Sequence, residues 1–252
     1  MKTFEVDKLK VNQYNTREEM GQSAAKDVAT KIKELLKTKA EIAMIFAAAP
    51  SQNEFLSSLL QDKEIDFYRI NAFHMDEYIG LEKEAPQGFG NFLKDRLFNQ
   101  ANFKTVSYID GQNSNPQEEC NRYAKLLNKQ KIDIVCMGIG ENAHIAFNDP
   151  HIAFFDDKEA VKIVELDLTC RQQQVNDGCF SSIDKVPMHA ITLTIPTLVS
   201  ADYIYCMVPA KTKAEAVKNV VTKEISEKYP ASILRRCENA TMYIDADSGS
   251  LI

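Results

Sequence analysis

"IDIVCMGIGENAHIAFNDP", residues 132–150, begins as an apolar run interrupted only by Asp133 and turns, from Gly138 onward, into a loop dense with polar and ionisable groups. An apolar run of that length without alternation predicts a strand covered on both faces. A polar loop attached directly to such a strand is where an α/β sheet collects its ligands.

The same kind of run recurs at 42–49 (IAMIFAAA), 67–73 (FYRINAF), 161–166 (VKIVEL), 190–195 (AITLTI), 203–208 (YIYCMV) and 241–244 (TMYI), most of them read as strands buried on both faces. Helical patterns lie between many of them. Thr16 and Glu19 have capping-box spacing ahead of Ala25, Val28, Ile32 and Leu35. Phe55, Leu59 and Leu60 carry a helical pattern after the first run. Asn115 and Pro116, with Glu118, start a helix whose apolar stripe is Cys120, Tyr123, Ala124 and Leu127. Ala214, Val217, Val220, Val221 and Ile225 form another. Strands alternating with helices predict an α/β fold of three layers, Rossmann-like, with a mostly parallel central sheet flanked by helices. The length of 252 residues, with no linker, repeat or low-complexity stretch, predicts one domain spanning 1–252. Segments 146–160 and 167–187 read as irregular, and 151–187 is a candidate lid.

A composition of 44% hydrophobic and 26% charged residues is that of a globular protein. The formal charge of -6, with scattered lysines and arginines, argues against nucleic acid as a partner but leaves room for an anionic ligand where a few donors converge. No window approaches a membrane span, the N-terminus has no signal-peptide run, and the six cysteines lack paired spacing and read as reduced. The expected location is the cytoplasm, with no membrane contact. The four histidines and six cysteines never fall into a metal-ligand spacing, so no metal is expected.

Four loops that follow strands could carry chemistry. In the first, Gly138 and Gly140 allow a sharp turn and close approach of a ligand, and His144 follows with Asp149 and the Asn142 side-chain oxygen as candidate acceptors for its far ring nitrogen. The alternative is a turn whose polar side chains satisfy their own backbone. The glycines lack the third glycine of a dinucleotide fingerprint. In the second, "FHMDEYIGL" (73–81), Asp76 and Glu77 are adjacent carboxylates; one could face the crevice as a base while the other meets solvent or a helix end, or both could be capping or surface acids. In the third, Ser51 of "FAAAPSQNEF" (46–55) is a candidate N-cap of a helix whose first N–H groups could hold an anion; the alternative is simple capping. In the fourth, Lys211 and Lys213 open a helix, where a cation is poorly placed for the helix dipole unless an anion is bound; otherwise both are solvated lysines. His189 reads as a packing or hydrogen-bonded histidine, His74 is left open, and His151 has no motif around it.

Taken together, "FHMDEYIGL" and "GIGENAHIAFNDP" resemble the glucosamine-6-phosphate deaminase (isomerase) family, within a superfamily that includes the 6-phosphogluconolactonases. "VPMHAITLTIPTLVSAD" (186–202) and "KTKAEAV" (211–217) extend the resemblance from about the first strand run to the end of the chain. It implies an aldose–ketose isomerase/deaminase that converts an amino-sugar phosphate, glucosamine 6-phosphate or a close relative, to a ketose phosphate plus ammonia without a cofactor. It implies that His144 assists ring opening, that Asp76 shuttles a proton between C2 and C1, and that Asp149, with Asn142 beside it, orients the histidine. Ser51 and Lys213 match phosphate-binding positions, with Gly138 and Gly140 in the loop that borders the substrate. The partner it implies is a small-molecule sugar phosphate, and it allows a homo-oligomer with no interface legible in the sequence.

This chain departs from the family pattern in several places. Asn142 stands where some members have aspartate, Ala143 replaces a glycine, and Asp149 replaces a glutamate. "AAAPSQ" replaces a glycine- and threonine-rich loop, and Gly178 stands where an arginine is usual, with Arg171 the nearest substitute. Loss of one bidentate arginine removes roughly 1.5–3 kcal/mol of charge-assisted binding. Two other readings compete: a sugar-lactone hydrolase in which His144 activates water, and a non-catalytic sugar-phosphate-binding homologue.

Overall fold

The computed structural model describes all residues, 1–252. A hairpin of β1 (Lys2–Val6) and β2 (Leu9–Gln13) leads into α1 (Arg17–Leu36), β3 (Ile42–Phe46), α2 (Asn53–Leu59), β4 (Ile70–His74) and β5 (Asp76–Tyr78). There follow α3 (Phe89–Leu93), which passes into a π-helical turn, then β6 (Thr105–Ser107), α4 (Pro116–Leu127), β7 (Ile134–Met137) and β8 (Val161–Glu165). The chain ends through α5 (Leu168–Asn176), β9 (His189–Leu193), α6 (Ile195–Val199), β10 (Tyr203–Val208), α7 (Ala214–Thr222) and β11 (Ala240–Ile244).

Eight strands form one sheet in the order β1-β2-β11-β10-β7-β3-β4-β6, parallel except for the β1–β2 hairpin. Strict alternation along its central strands divides the interior in two. Ala43 and Ile45, Val135 and Met137, and Ile204 and Cys206 face one core, which α4 and α7 close with Tyr123, Leu127, Val217 and Val220. Met44 and Phe46, Ile134 and Cys136, and Tyr205 and Met207 face the other, closed by Val28 and Ile32 of α1 and Phe55 and Leu59 of α2. A strand can be apolar throughout only when both faces are covered, and full burial of each such aliphatic side chain contributes about 1.5–3 kcal/mol. The three-layer expectation holds.

Helix starts follow local chemistry. Thr16 Oγ1 accepts from the Glu19 N–H at 3.1 Å, and Glu19 answers through the N–H of Asn15, one residue earlier than the usual reciprocal bond. Asn115 accepts from the Glu118 N–H at the start of α4.

Two expectations need correction. The runs at 161–166 and 190–195 do not join the main sheet: β8 and β9 form, with β5, a separate antiparallel sheet in the order β5-β9-β8. In β8, Ile163 and Glu165 are exposed, so this strand has one solvated face. Segment 167–187 is also not irregular throughout, since it contains α5. The helix α5 escaped notice because the residues on its buried face are Gln173 and Gln174 with Cys170, rather than an apolar stripe.

Candidate active site

From β3 the chain proceeds to β4 and β6, then returns to lay β7 against the opposite edge of β3. The loops leaving β3 and β7 therefore diverge, and the crevice between them at the carboxyl ends of the strands is a topological switch point. A cleft opens there. It is lined by Arg17, Ser51 and Gln52 on the β3 side, Gly138, Gly140 and His144 after β7, Asp76 after β4, Lys213 after β10, and Gln173, Gln174 and Asp177 from α5.

His144 is held by a turn in which Ala143 has φ +66° and Gly140 N–H donates to the His144 carbonyl at 2.9 Å. The imidazole rests on the α-carbon of Gly140, where any side chain would collide with it. Beyond it, Asn148 donates to the carbonyls of Ile145 and Leu193 at 3.0 and 2.8 Å, and so ties the loop to β9. Nδ1 of His144 lies 3.1 Å from Oδ1 of the fully buried Asp149, a hydrogen-bond length with the ring tilted from the ideal line. With Nδ1 facing a carboxylate, the neutral tautomer carries its proton there and leaves Nε2 as the acceptor. Burial alone would raise the pKa of Asp149; hydrogen bonds from His144, Asn142 and the Asp167 N–H outweigh it and hold the group below the ordinary carboxylate value. The expected role of the Asn142 oxygen is corrected: it accepts the backbone N–H of His144 at 3.1 Å, and the amide nitrogen, not the oxygen, points to Asp149 at 3.0 Å. A residue two positions away cannot reach the far side of the ring and caps the backbone turn instead.

The adjacent carboxylates separate as β-strand neighbours must, to opposite faces. Asp76 lines the cleft, and burial together with the nearby Glu77 pushes its carboxyl well above the ordinary value. Glu77 turns to the start of α3 and accepts the N–H groups of Phe89 and Gly90 at 3.0 and 2.8 Å. One acid is spent on a helix end and the other is left facing the cleft.

Lys213 precedes α7 and is buried, with no hydrogen-bond partner for Nζ; burial lowers its pKa, against the opposing fields of Asp177 and Glu141. Lys211 is exposed and reaches Ser250. Ser51 does not cap a helix: Pro50 starts a 3₁₀ turn, α2 begins at Asn53 without a side-chain cap, and Ser51 Oγ accepts from Gln52 at 3.1 Å within the cleft lining. Arg171 does not line the cleft; its guanidinium donates to the carbonyls of Ile183 and Val186 at 2.7 and 3.0 Å and pins the segment after α5. The arginine in the cleft is Arg17, bonded to the Pro50 carbonyl and 2.8 Å from Glu54. Sequence reasoning missed it, with Gln52, Gln173, Gln174 and Asp177. A polar residue in a helical stretch reads as solvated until the fold shows what lies against it.

The remaining histidines sort out by burial. His74 is fully buried, Nε2 accepts the Ile109 N–H at 2.9 Å, and burial lowers its pKa to about 4, so it is a neutral structural group. His189 is exposed rather than packed, and His151 is exposed. Folding also assembles potential ligand sets that spacing does not reveal: His144, Asp149 and Cys170, and Asp149, His151 and Asp167, each within 4.8 Å. All six cysteines are free thiols, and no helix is long and apolar enough to cross a membrane.

Residues 15–243 match the sequence profile of the glucosamine-6-phosphate isomerases/6-phosphogluconolactonase family. Glucosamine-6-phosphate deaminase 1 of Bacillus subtilis is 34% identical over 247 residues, which cover 96% of this chain and 99% of that protein. The glucosamine-6-phosphate deaminase of Lactobacillus delbrueckii subsp. bulgaricus is 34% identical over 189 residues, covering 75% and 79%. Among solved structures, a monomeric glucosamine-6-phosphate deaminase superposes with a TM-score of 0.88 at 32% identity, covering 96% of this chain and 99% of that one. A 6-phosphogluconolactonase from Thermotoga maritima, at 18% identity and a TM-score of 0.76 over 93% and 98%, shares the fold. On this evidence the chain belongs to the glucosamine-6-phosphate isomerase/6-phosphogluconolactonase family.

Proposed function

We propose that the protein is an aldose–ketose isomerase/deaminase that converts an amino-sugar phosphate, glucosamine 6-phosphate or a close relative, to a ketose phosphate and ammonia. The observation that carries this reading is a single cleft holding a desolvated carboxylate, a carboxylate-paired histidine and an unpartnered buried lysine. Ring opening needs a group that takes the anomeric hydroxyl proton and returns one to the ring oxygen, and Nε2 of His144 is the available acceptor. Isomerisation needs a base near neutral that removes the C2 proton and delivers it to C1, giving the C2 imine. Asp76, with its ionised form disfavoured, has the required basicity. Water then adds to the imine and ammonia leaves. Lys213 is the candidate phosphate partner, with Ser51 and the loop glycines Gly138 and Gly140 beside it, and α5 acts as a lid. Free thiols fit a reducing cytoplasm. A homo-oligomer is not needed for this chemistry, which one chain's residues supply.

Ammonia release from glucosamine 6-phosphate and galactosamine 6-phosphate tests the reading. Turnover that is lost in Asp76→Asn supports it. Hydrolysis of a sugar lactone without ammonia release would transfer the protein to the lactonase branch, and thermal stabilisation by a sugar phosphate without any turnover would make it a binding homologue.

A further inference from the structure

Asp149 is held from two directions. Its Oδ1 accepts the Asn142 amide at 3.0 Å, beside the His144 ring, and its Oδ2 accepts the backbone N–H of Asp167 at 3.1 Å. Asp167 uses all of its polar atoms in the same place. Its Oδ1 caps α5 through the Cys170 N–H at 2.6 Å, and its Oδ2 accepts the same Asn142 amide at 3.2 Å. One amide group thus bridges two carboxylates, and the residue that starts the helix lining the cleft also fixes the carboxylate behind His144. At the other side of the loop, Gln173 of α5 accepts the Glu141 N–H at 2.8 Å.

We infer that Asp167 is a positioning residue that couples the docking of α5 on the cleft to the orientation of the His144–Asp149 pair. The inference rests on the proposed role of that pair in proton transfer. Its logic is one of donors and acceptors. The Asn142 oxygen is committed to the His144 N–H, so its NH₂ must find acceptors, and Asp149 and Asp167 supply both. Because one atom of residue 167 is committed to the cap, the other must accept. Asparagine at 167 is as good an N-cap as aspartate but turns an NH₂ toward the Asn142 NH₂. It therefore removes the bridge while keeping the cap, and alanine removes both.

The ionisable groups facing the pair are Asp149 itself, Asp167, the Cys170 thiol of α5, the His151 ring near Asp149 and Asp167, and, through their fields at Cys170, Asp76 and Lys213.

The test compares wild type, Asp167→Asn and Asp167→Ala in ammonia release across pH, in thermal midpoint, and in the imidazole nitrogen signals of His144 by NMR without substrate. For Asp167→Asn the expected result is a kcat lower by roughly 10- to 100-fold, as small misplacements of reacting groups produce. KM and the midpoint should change little, and the His144 nitrogens should report a mixture of tautomers. Asp167→Ala should show the same loss with a lower midpoint. A wild-type kcat and tautomer in Asp167→Asn, with only the midpoint lowered in Asp167→Ala, would reduce Asp167 to a helix cap and overturn the inference. If the wild type releases no ammonia, the functional reading fails instead, and the His144 signals alone decide the coupling.

Discussion

The imidazole of His144 lies directly against the α-carbon of Gly140, so closely that a β-carbon there would overlap the ring. Gly140 cannot gain a side chain without moving the ring. Gly140→Ala is expected to displace the ring from Asp149 and to lower kcat/KM by at least about 10²-fold, the scale of a misplacement of roughly 1 Å. The fold should survive, because the surrounding turn is held by backbone bonds. Unchanged turnover in this variant would mean that His144 does not need its present position.

Asp76 makes the opposite trade between stability and chemistry. Its carboxyl is pushed above the ordinary value by burial and by Glu77, so the folded protein keeps a proton that the unfolded chain has already released. Where the folded state binds more protons, stability falls as pH rises above the usual aspartate range near 3.8. Asp76→Asn is therefore expected to lower kcat by about 10²–10⁴-fold and to raise the thermal midpoint at neutral pH. Midpoints measured against pH should diverge between the two proteins on the alkaline side; superimposed curves would remove Asp76 from the buried, neutralised class.

Lys213 poses the same question for a cation. Replacing it with methionine keeps the apolar stem and removes an uncompensated charge. The ligand-free protein should gain stability, and its stabilisation by inorganic phosphate should be lost. KM for the phosphorylated sugar should rise about 10- to 100-fold, with that for the unphosphorylated sugar unaffected, as the loss of a charge-assisted bond worth about 1.5–3 kcal/mol requires. Equal effects on both sugars would place the phosphate elsewhere.

Ala210, two residues beyond β10, has φ 85° and ψ 149°, a region that is nearly reserved for glycine. The loop accepts this because Ala210 N–H binds Asp245 at 3.0 Å and its carbonyl receives the Lys213 N–H at 3.0 Å. Such strain costs about 1–3 kcal/mol, against about 0.5–1 kcal/mol for the extra freedom of glycine in the unfolded chain. Ala210→Gly should raise stability by about 1 kcal/mol, a shift of roughly 2–4 °C in a chain of this size. A lower midpoint would show that the alanine methyl contributes more packing than its backbone angle costs.

The strands of the main sheet that read correctly, β3, β4, β7, β10 and β11, are those covered on both faces, where most residues must be apolar; β8 and β9 also read as strands, though not as a separate sheet. The β1–β2 hairpin was not legible because its outer strand is exposed at Lys2, Thr3 and Glu5. The short β5 and β6 offer three residues each, too few for a period. Within the site, His144, Asp149, Asp76 and Lys213 were legible as residues, whereas their geometry was not. Which oxygen faces the ring, which acid takes the helix end and which arginine enters the cleft are decided by contacts between segments tens of residues apart. Arg171 and Arg17 make the point: one has the expected place in the chain and the other has the place in the fold.

The division of the interior into two cores also sets how the site behaves over time. The strands that carry His144, Lys213 and the Ser51 loop are clamped from both sides, so their amides open only when the whole molecule does. The helix α5 is attached to the cleft by amides and carboxylates rather than by a greasy stripe, and such contacts exchange readily for water. In hydrogen exchange the backbone of 168–176 should open at a lower free energy than that of 134–137. That outcome would give the protein a permanent floor and a detachable wall, with substrate entering by displacing the wall without disturbing the floor.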